Sequence, residues 1–138
     1  MNVLIDTNVV LDAILSREPH AAAAQKIFLL AAENKIHAGI TANTVTDIHY
    51  LALKYLRDSK KVKEVLAKLF ALFQVVDVTA YDCKKALDLP MDYYEDALLS
   101  ICAKKVKCDF IVTRNINDFA NSIVKPVLPN DFLKNQSK

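Results

Sequence analysis

Glycine is almost missing: Gly39 is the one glycine in 138 residues. A P-loop, a G-x-G-x-x-G dinucleotide fingerprint and a G-x-S-x-G nucleophile elbow each need several, so all three are excluded. Any phosphate this chain handles is met without a Gly-rich cradle. Cysteine is scarce too. Cys83, Cys102 and Cys108 are odd in number and show no C-x-x-C spacing, so core thiols in a reducing cytosol are expected and a zinc site is not. His20, His37 and His49 are scattered without metal-ligand spacing. Every apolar run is broken by Lys, Gln or Glu well short of a membrane span, and the start lacks a basic segment followed by a processing site. The expectation is a soluble, cytoplasmic protein with no membrane partner. An excess of one charge is also lacking: Lys+Arg 18 against Asp+Glu 16 gives +2, which selects no partner. With no linker, repeat or low-complexity tract, residues 1–138 are expected to form one domain.

What is present is apolar material, 53% of the chain, ample for one solid core. Val3, Leu4 and Ile5 make a short, wholly apolar run that ends at Asp6. It is too short for a helix and reads as a strand buried on both faces, as in a parallel sheet covered by helices. Val9, Val10, Leu11 and Ile14 suggest a short helical turn to about Ser16. Glu18-Pro19 opens the next helix, with Pro at a favoured first-turn position, and helical spacing carries it to about Glu33. Residues 36–40 give a second strand. A residue between Thr41 and Asn43 caps a helix whose first turn or so holds Asp47. Ser59 caps another, with Val62, Val65, Leu66 and Leu69 as its stripe. Residues 73–78 read as a third strand, and Thr79 and Asp82 open a short helix ending by Pro90. Residues 110–113 form a further strand, and a last one near Val127-Leu128 leads into a terminal turn.

The segment Asp92 to Leu99 begins a helix that runs to about Val106. Asp92 and Glu95, three apart, fit a capping box with Asp in place of the usual Ser or Thr. Asp96 has no such duty, and at a helix N-terminus the dipole favours its ionised form. The order of elements calls for a parallel sheet with helices on both faces. Helix N-termini and strand C-termini then share one edge, where ligands of such sheets sit. Asp6, Asp47, Asp96 and Asn115/Asp118 all map to it. Asp6 alone would read as a helix cap, but four such stretches at one edge make a candidate site. Crowded carboxylates raise one another's pKa, and a hard divalent cation removes the conflict. Oxygen-only ligands suit Mg²⁺ or Mn²⁺ better than zinc.

Four runs carry a resemblance: L-I-D-T-N-V-V-L-D at Leu4 to Asp12, T-V-T-D-I at Thr44 to Ile48, D-Y-Y-E-D-A-L at Asp92 to Leu98, and I-V-T-R-N-I-N-D-F at Ile111 to Phe119. In this order, over nearly the whole length, the chain resembles the PIN-domain family, small metal-dependent ribonucleases that include many bacterial toxins of toxin–antitoxin pairs (the VapC-like branch). The resemblance implies a three-layer α/β/α sandwich with a central parallel sheet. It implies metal ligands at Asp6 and Asp96, with the second acidic position at Asp47. It further implies RNA as substrate, hydrolysed with Mg²⁺ or Mn²⁺, a homodimer, and an antitoxin protein as partner. Thr7, Asn8 and Arg114 are then candidate substrate contacts. The chain departs from the family twice. Asp47 stands where Glu is common and is one methylene shorter, which suggests contact through water. Asn115 stands where many relatives carry a fourth acid, with Asp118 three residues on, and either can complete the site.

Some readings stay open at this level. Arg114 meets a substrate phosphate or pairs with a nearby carboxylate. The run Lys60, Lys61, Lys63 and Lys68 is a solvated helix face or an RNA track. A metal-dependent endoribonuclease is the first functional reading, and a PIN-type RNA- or protein-binding module weakened at Asn115 is the alternative. A Mg²⁺-dependent phosphatase or receiver-type domain also places an Asp after its first strand. The phosphatase wants a second Asp where Asn8 stands; the receiver needs a phosphate-accepting Asp after its third strand, where only Asp77 is on offer.

Overall fold

Val3, Leu4 and Ile5 are at most 1% exposed, and the strand they form, β1 (Asn2–Ile5), is the centre of the sheet. The computed structural model describes residues 1–136. After β1 come α1 (Thr7–Ile14), α2 (Ala21–Ala32), β2 (His37–Thr41), α3 (Ala42–Leu56), α4 (Ser59–Leu72), β3 (Gln74–Val76) and α5 (Ala80–Ala86). Then follow α6 (Tyr94–Lys105), β4 (Phe110–Val112), a 3₁₀ turn (Ile116–Phe119), β5 (Pro126–Val127) and α7 (Pro129–Gln136). The strands lie in the order β3-β2-β1-β4-β5 and every pairing is parallel.

Alternation along β1 feeds two cores. Val3 and Ile5 pack on one side with Val9, Ile27, Ile48 and Leu69 from α1 to α4 and with Phe132 of α7. Leu4 turns to the other side, against Ala97, Leu98 and Cys102 of α6, Ile111 and Phe119. The result is the three-layer α/β/α sandwich expected from the sequence. Full burial of side chains of this size stabilises by roughly 1.5–3 kcal/mol each, so β1 is the best anchored strand. The receiver-type alternative fails on topology. Its sheet runs 2-1-3-4-5, whereas here β2 separates β3 from β1 and keeps Asp77 away from Asp6.

Several local expectations shift. Asp58, not Ser59, caps α4, its carboxylate accepting from the amides of Lys60 and Lys61. Thr41 is the N-cap residue of α3 but makes no side-chain cap bond. Pro19 lies before α2, whose first residue is Ala21. The terminal turn is a full helix, α7. The Asp92–Glu95 capping box does not form: Tyr93 is the N-cap of α6, without a side-chain bond, and Asp92 stays exposed outside the helix. The Thr79–Asp82 box on α5 does form. Asp82 also accepts from Lys105 of α6, which donates to the Asp77 carbonyl as well, while Tyr94 Oη donates to the Cys83 carbonyl at 2.7 Å. Both ends of α6 are thereby tied down.

The lone glycine serves no turn. A Cβ on Gly39 would stand 3.2 Å from the Gln74 carbonyl oxygen and 3.3 Å from Val76 Cγ2, so it permits the close approach of β2 and β3. The left-handed positions that glycine usually takes after helices fall instead to Ser16, Asn34, Arg57 and Lys107, with φ of 51°, 58°, 54° and 59°. A side chain there costs roughly 1–2 kcal/mol, partly offset in glycine by its greater loss of chain entropy. Lys107→Gly and Arg57→Gly should therefore each stabilise the fold by up to about 1 kcal/mol. Urea unfolding checks this, and a lower midpoint in both would contradict it.

Candidate active site

Sheet order reverses between β1 and β4, the crevice where open parallel sheets place their ligands. A cleft of about 530 Å³ opens there. Asp6 ends β1 and caps α1, its Oδ1 accepting from the Thr7 amide at 2.8 Å. Its Oδ2 accepts from Thr113 Oγ1 at 2.8 Å and from Asn8 Nδ2 at 3.3 Å. Cap and candidate ligand are thus compatible roles for one carboxylate. Burial pushes its pKa up; the Thr113 and Thr7 bonds oppose this and the charge of Glu95 adds to it. The Asn8 amide is fixed by its bond to Asp6, since the flipped form would aim oxygen at oxygen. Asn8 Oδ1 is left buried without a hydrogen-bond partner among the described residues.

Asp96 sits in the first turn of α6 and also lines the cleft. No described residue donates a hydrogen bond to its carboxylate. Burial, then the charges of Asp6, Asp118 and Glu95, push it up from 3.8 to about 6. The cleft is lined as well by Thr7, Asn8, Asp47, Arg114 and Asn115. Asp47 is in the second turn of α3 rather than the first, and is exposed. Asp118 lies in an adjoining groove with Tyr93, Tyr94, Glu95 and Asp96. The structure therefore brings all eight sequence candidates to one region, with Asn115 facing the main cleft and Asp118 the side groove.

Arg114 takes the second of its two readings at least in part. Its Nε donates to Asp12 Oδ2 at 2.7 Å, and Arg17 Nε donates to Asp12 Oδ1 at 2.8 Å. Asp12, Arg17 and Glu95 are the residues that sequence reasoning missed. Glu95 was assigned to the absent capping box. Asp12 has one partner, Arg17, five residues on, but its second, Arg114, is 102 residues away and leaves no local signal.

Among the described residues no three His, Cys, Asp or Glu side chains make a closed metal cage. An Asp6–Asp96 pair suits instead a cation that keeps several waters, as Mg²⁺ does with one or two carboxylates. The donor set is all oxygen, and its excess negative charge is what a hard cation neutralises, so these residues fit such an ion.

Fold and site together define a small α/β domain with an acidic cleft at the switch point of a parallel sheet. The chain belongs to the PIN-domain family, whose PIN domain model matches residues 2–117. Among solved structures it is similar to the VapBC2 complex of Rickettsia felis bound to a promoter DNA fragment (TM-score 0.71, 17% identity, 93% of this chain and 98% of that chain). It is similar to FitAcB of Neisseria gonorrhoeae (TM-score 0.65, 18% identity, 92% and 97%). It also resembles VapC20 of Mycobacterium tuberculosis, described as a toxin that cleaves the sarcin–ricin loop (TM-score 0.67, 12% identity, 88% and 96%). At these identities the likeness is one of fold. Compared by sequence with curated proteins, the chain matches none.

A carboxyl group raised to about 6 from 3.8 binds its proton more tightly in the folded than in the unfolded state. Its contribution to stability is full below the ordinary value and is lost as pH rises through about 6. In EDTA, Asp96→Asn should raise the thermal midpoint at pH 7 to 8, and this gain should vanish near pH 4. A midpoint unchanged at pH 7 would show that Asp96 is not crowded.

Proposed function

We propose that this chain is a metal-dependent endoribonuclease and the toxin of a toxin–antitoxin pair. The observation that carries the reading is Asp96: a half-buried carboxylate without a hydrogen-bond donor among the described residues, held beside Asp6, Glu95 and Asp118. Such crowding costs stability and is relieved by a cation. Membership of the PIN family, and the likeness to toxin–antitoxin complexes and to a toxin described as cleaving the sarcin–ricin loop, support the nuclease and toxin parts.

Asp6 and Asp96 would hold Mg²⁺ or Mn²⁺. When bound, the ion supplies a Lewis acid that lowers a water's pKa and offsets charge on phosphate oxygens. Thr7, Asn8 and Thr113 fix the Asp6 carboxylate through the bonds already described. Asp47, exposed on α3, reaches the same cleft and acts through water. Asn115 or Asp118 would orient the nucleophile or help hold a second ion. Thr7, Asn8 and Arg114 meet the substrate. The neutral Asn115 in the main cleft favours the alternative of a weakened RNA- or protein-binding module, and one assay decides between them.

Purified protein should cleave mixed RNAs with Mn²⁺ or Mg²⁺ and not in EDTA. Asp6→Asn and Asp96→Asn should each cost roughly a hundredfold or more, about 3 kcal/mol of barrier. Asp92→Asn, outside the cleft, should be mild. Cleavage that survives EDTA or both substitutions would sink the mechanism, and a folded parent that cuts nothing would leave the binding module.

The chain is further proposed to be a homodimer with an antitoxin partner. Of the apolar α2 residues, Phe28 is used internally, edge-on to Phe73 at 4.8 Å, and Leu30 is partly buried. Leu29 of α2 and Tyr50, Leu51 and Tyr55 of α3 are 39–64% exposed, Tyr50 and Leu51 at the cleft itself, and a partner that covers them would bury this apolar area. Light scattering at micromolar concentration should give twice the chain mass; a monomer would remove this claim. A small DNA-binding protein encoded beside this chain is expected as the antitoxin.

A further inference from the structure

The cleft is lined by side chains of both charges. Asp47 of α3 and Glu95 and Asp96 of α6 line it as carboxylates, and Arg17 and Arg114 line it as guanidiniums. The two arginines share one anchor. Asp12 is 1% exposed, while the Arg17 and Arg114 side chains keep 38% and 30% of their exposure. Arg114 grips Asp12 through two nitrogens, at 2.7 and 3.4 Å, and Arg17 spends a further nitrogen on the Asn8 carbonyl at 3.0 Å. Two guanidinium charges against one carboxylate leave one positive charge in excess at the rim of an otherwise acidic site. A guanidinium has five N–H donors in a rigid fork, so one edge can hold Asp12 and the rest remain for a phosphate.

Arg114 also lines a second groove, of about 400 Å³, between the start of α2 and the β5–α7 junction. His20, Lys26 and Asn130 line it too, and no Asp or Glu is among the described residues that do. The groove thus meets the cleft at Arg114.

We propose that Arg17 and Arg114, both held by Asp12, form a phosphate fork through which a single RNA strand passes from the carboxylate cleft into the groove of His20 and Lys26. This rests on the ribonuclease reading above and adds to it the path of the strand. Asp12 is a positioning residue: it touches no substrate, and it sets the edge that each arginine presents. The backbone phosphate next to the scissile one meets the fork, and the following nucleotide meets Lys26 and the Asn130 amide.

The test is anisotropy of a labelled oligouridylate on the cleavage-impaired Asp6→Asn chain across a salt series. Each phosphate contact on a single strand contributes roughly 0.7 to the slope of log affinity against log salt. Arg17→Ala and Lys26→Ala should each weaken binding and lower the slope by roughly that amount, while Lys104→Ala, exposed in the last turn of α6 away from the cleft, should leave it. In the otherwise parent chain with Mn²⁺, Asp12→Asn should raise KM by more than it lowers kcat; mere loss of folded protein would lower kcat alone. Should Asp12→Asn fail to fold, the Arg17 and Lys26 arms decide. Cleavage by the parent with both slopes unchanged overturns this inference and leaves the ribonuclease reading standing. No RNA binding by the Asp6→Asn chain or by the parent overturns both. An unchanged slope with dimer-to-monomer conversion in Lys26→Ala assigns the groove to a second copy and also overturns the inference.

Discussion

Like charge gathered at the end of the central strand is the constraint on which the rest of this structure depends. Asp6 closes β1, the strand buried on both faces, and Asp96, Glu95 and Asp118 are near enough for their charges to act on it or on one another. Carboxylates do not collect in this way unless the scaffold holds them. Here β1 is locked by pairing with β2 and β4, and Thr113, at the end of β4, reaches across to Asp6. On the other side, α6 is fastened to α5 at both its ends, through Tyr94 and Lys105. Backbone hydrogen bonds, two cores and one capping box all serve to keep Asp6 and Asp96 on the same cleft.

The positive side of the cleft is built differently. A buried ion pair owes little net stability to its Coulomb energy, because desolvation consumes most of it. What Asp12 obtains by holding Arg17 and Arg114 is definition: two long, flexible cations become fixed features of a wall. The charge of Arg114 also acts on Asp6, lowering the pKa that burial raises. The carboxylates and arginines of the cleft are therefore one electrostatic unit, linked through β1, α1 and the end of β4.

Near-absence of glycine shapes the same molecule from another direction. With no glycine to spare, four helix ends use Ser16, Asn34, Arg57 and Lys107 in left-handed geometry, and the one glycine is kept where a Cβ would crowd the neighbouring strand. The chain gives up local comfort at turns and retains it in the sheet.

Local physics sufficed for much of this. A short apolar run rich in β-branched residues favours a buried strand, apolar spacing of three and four favours a helix, and parallel strands with helical crossovers bring strand ends and helix starts to one edge. Hence the α/β/α architecture, and the common address of Asp6, Asp47, Asp96, Asn115 and Asp118, were legible from the sequence. Tertiary structure decided the choice of partners. Asp92 and Glu95 had capping-box spacing, but the helix began at Tyr94, which placed Glu95 on the cleft. Thr113 and Arg114 found Asp6 and Asp12 more than a hundred residues away. Spacing along a chain fixes which face a side chain occupies. Which charge it meets there depends on how the faces of distant elements are brought together, and that is set only when the sheet closes.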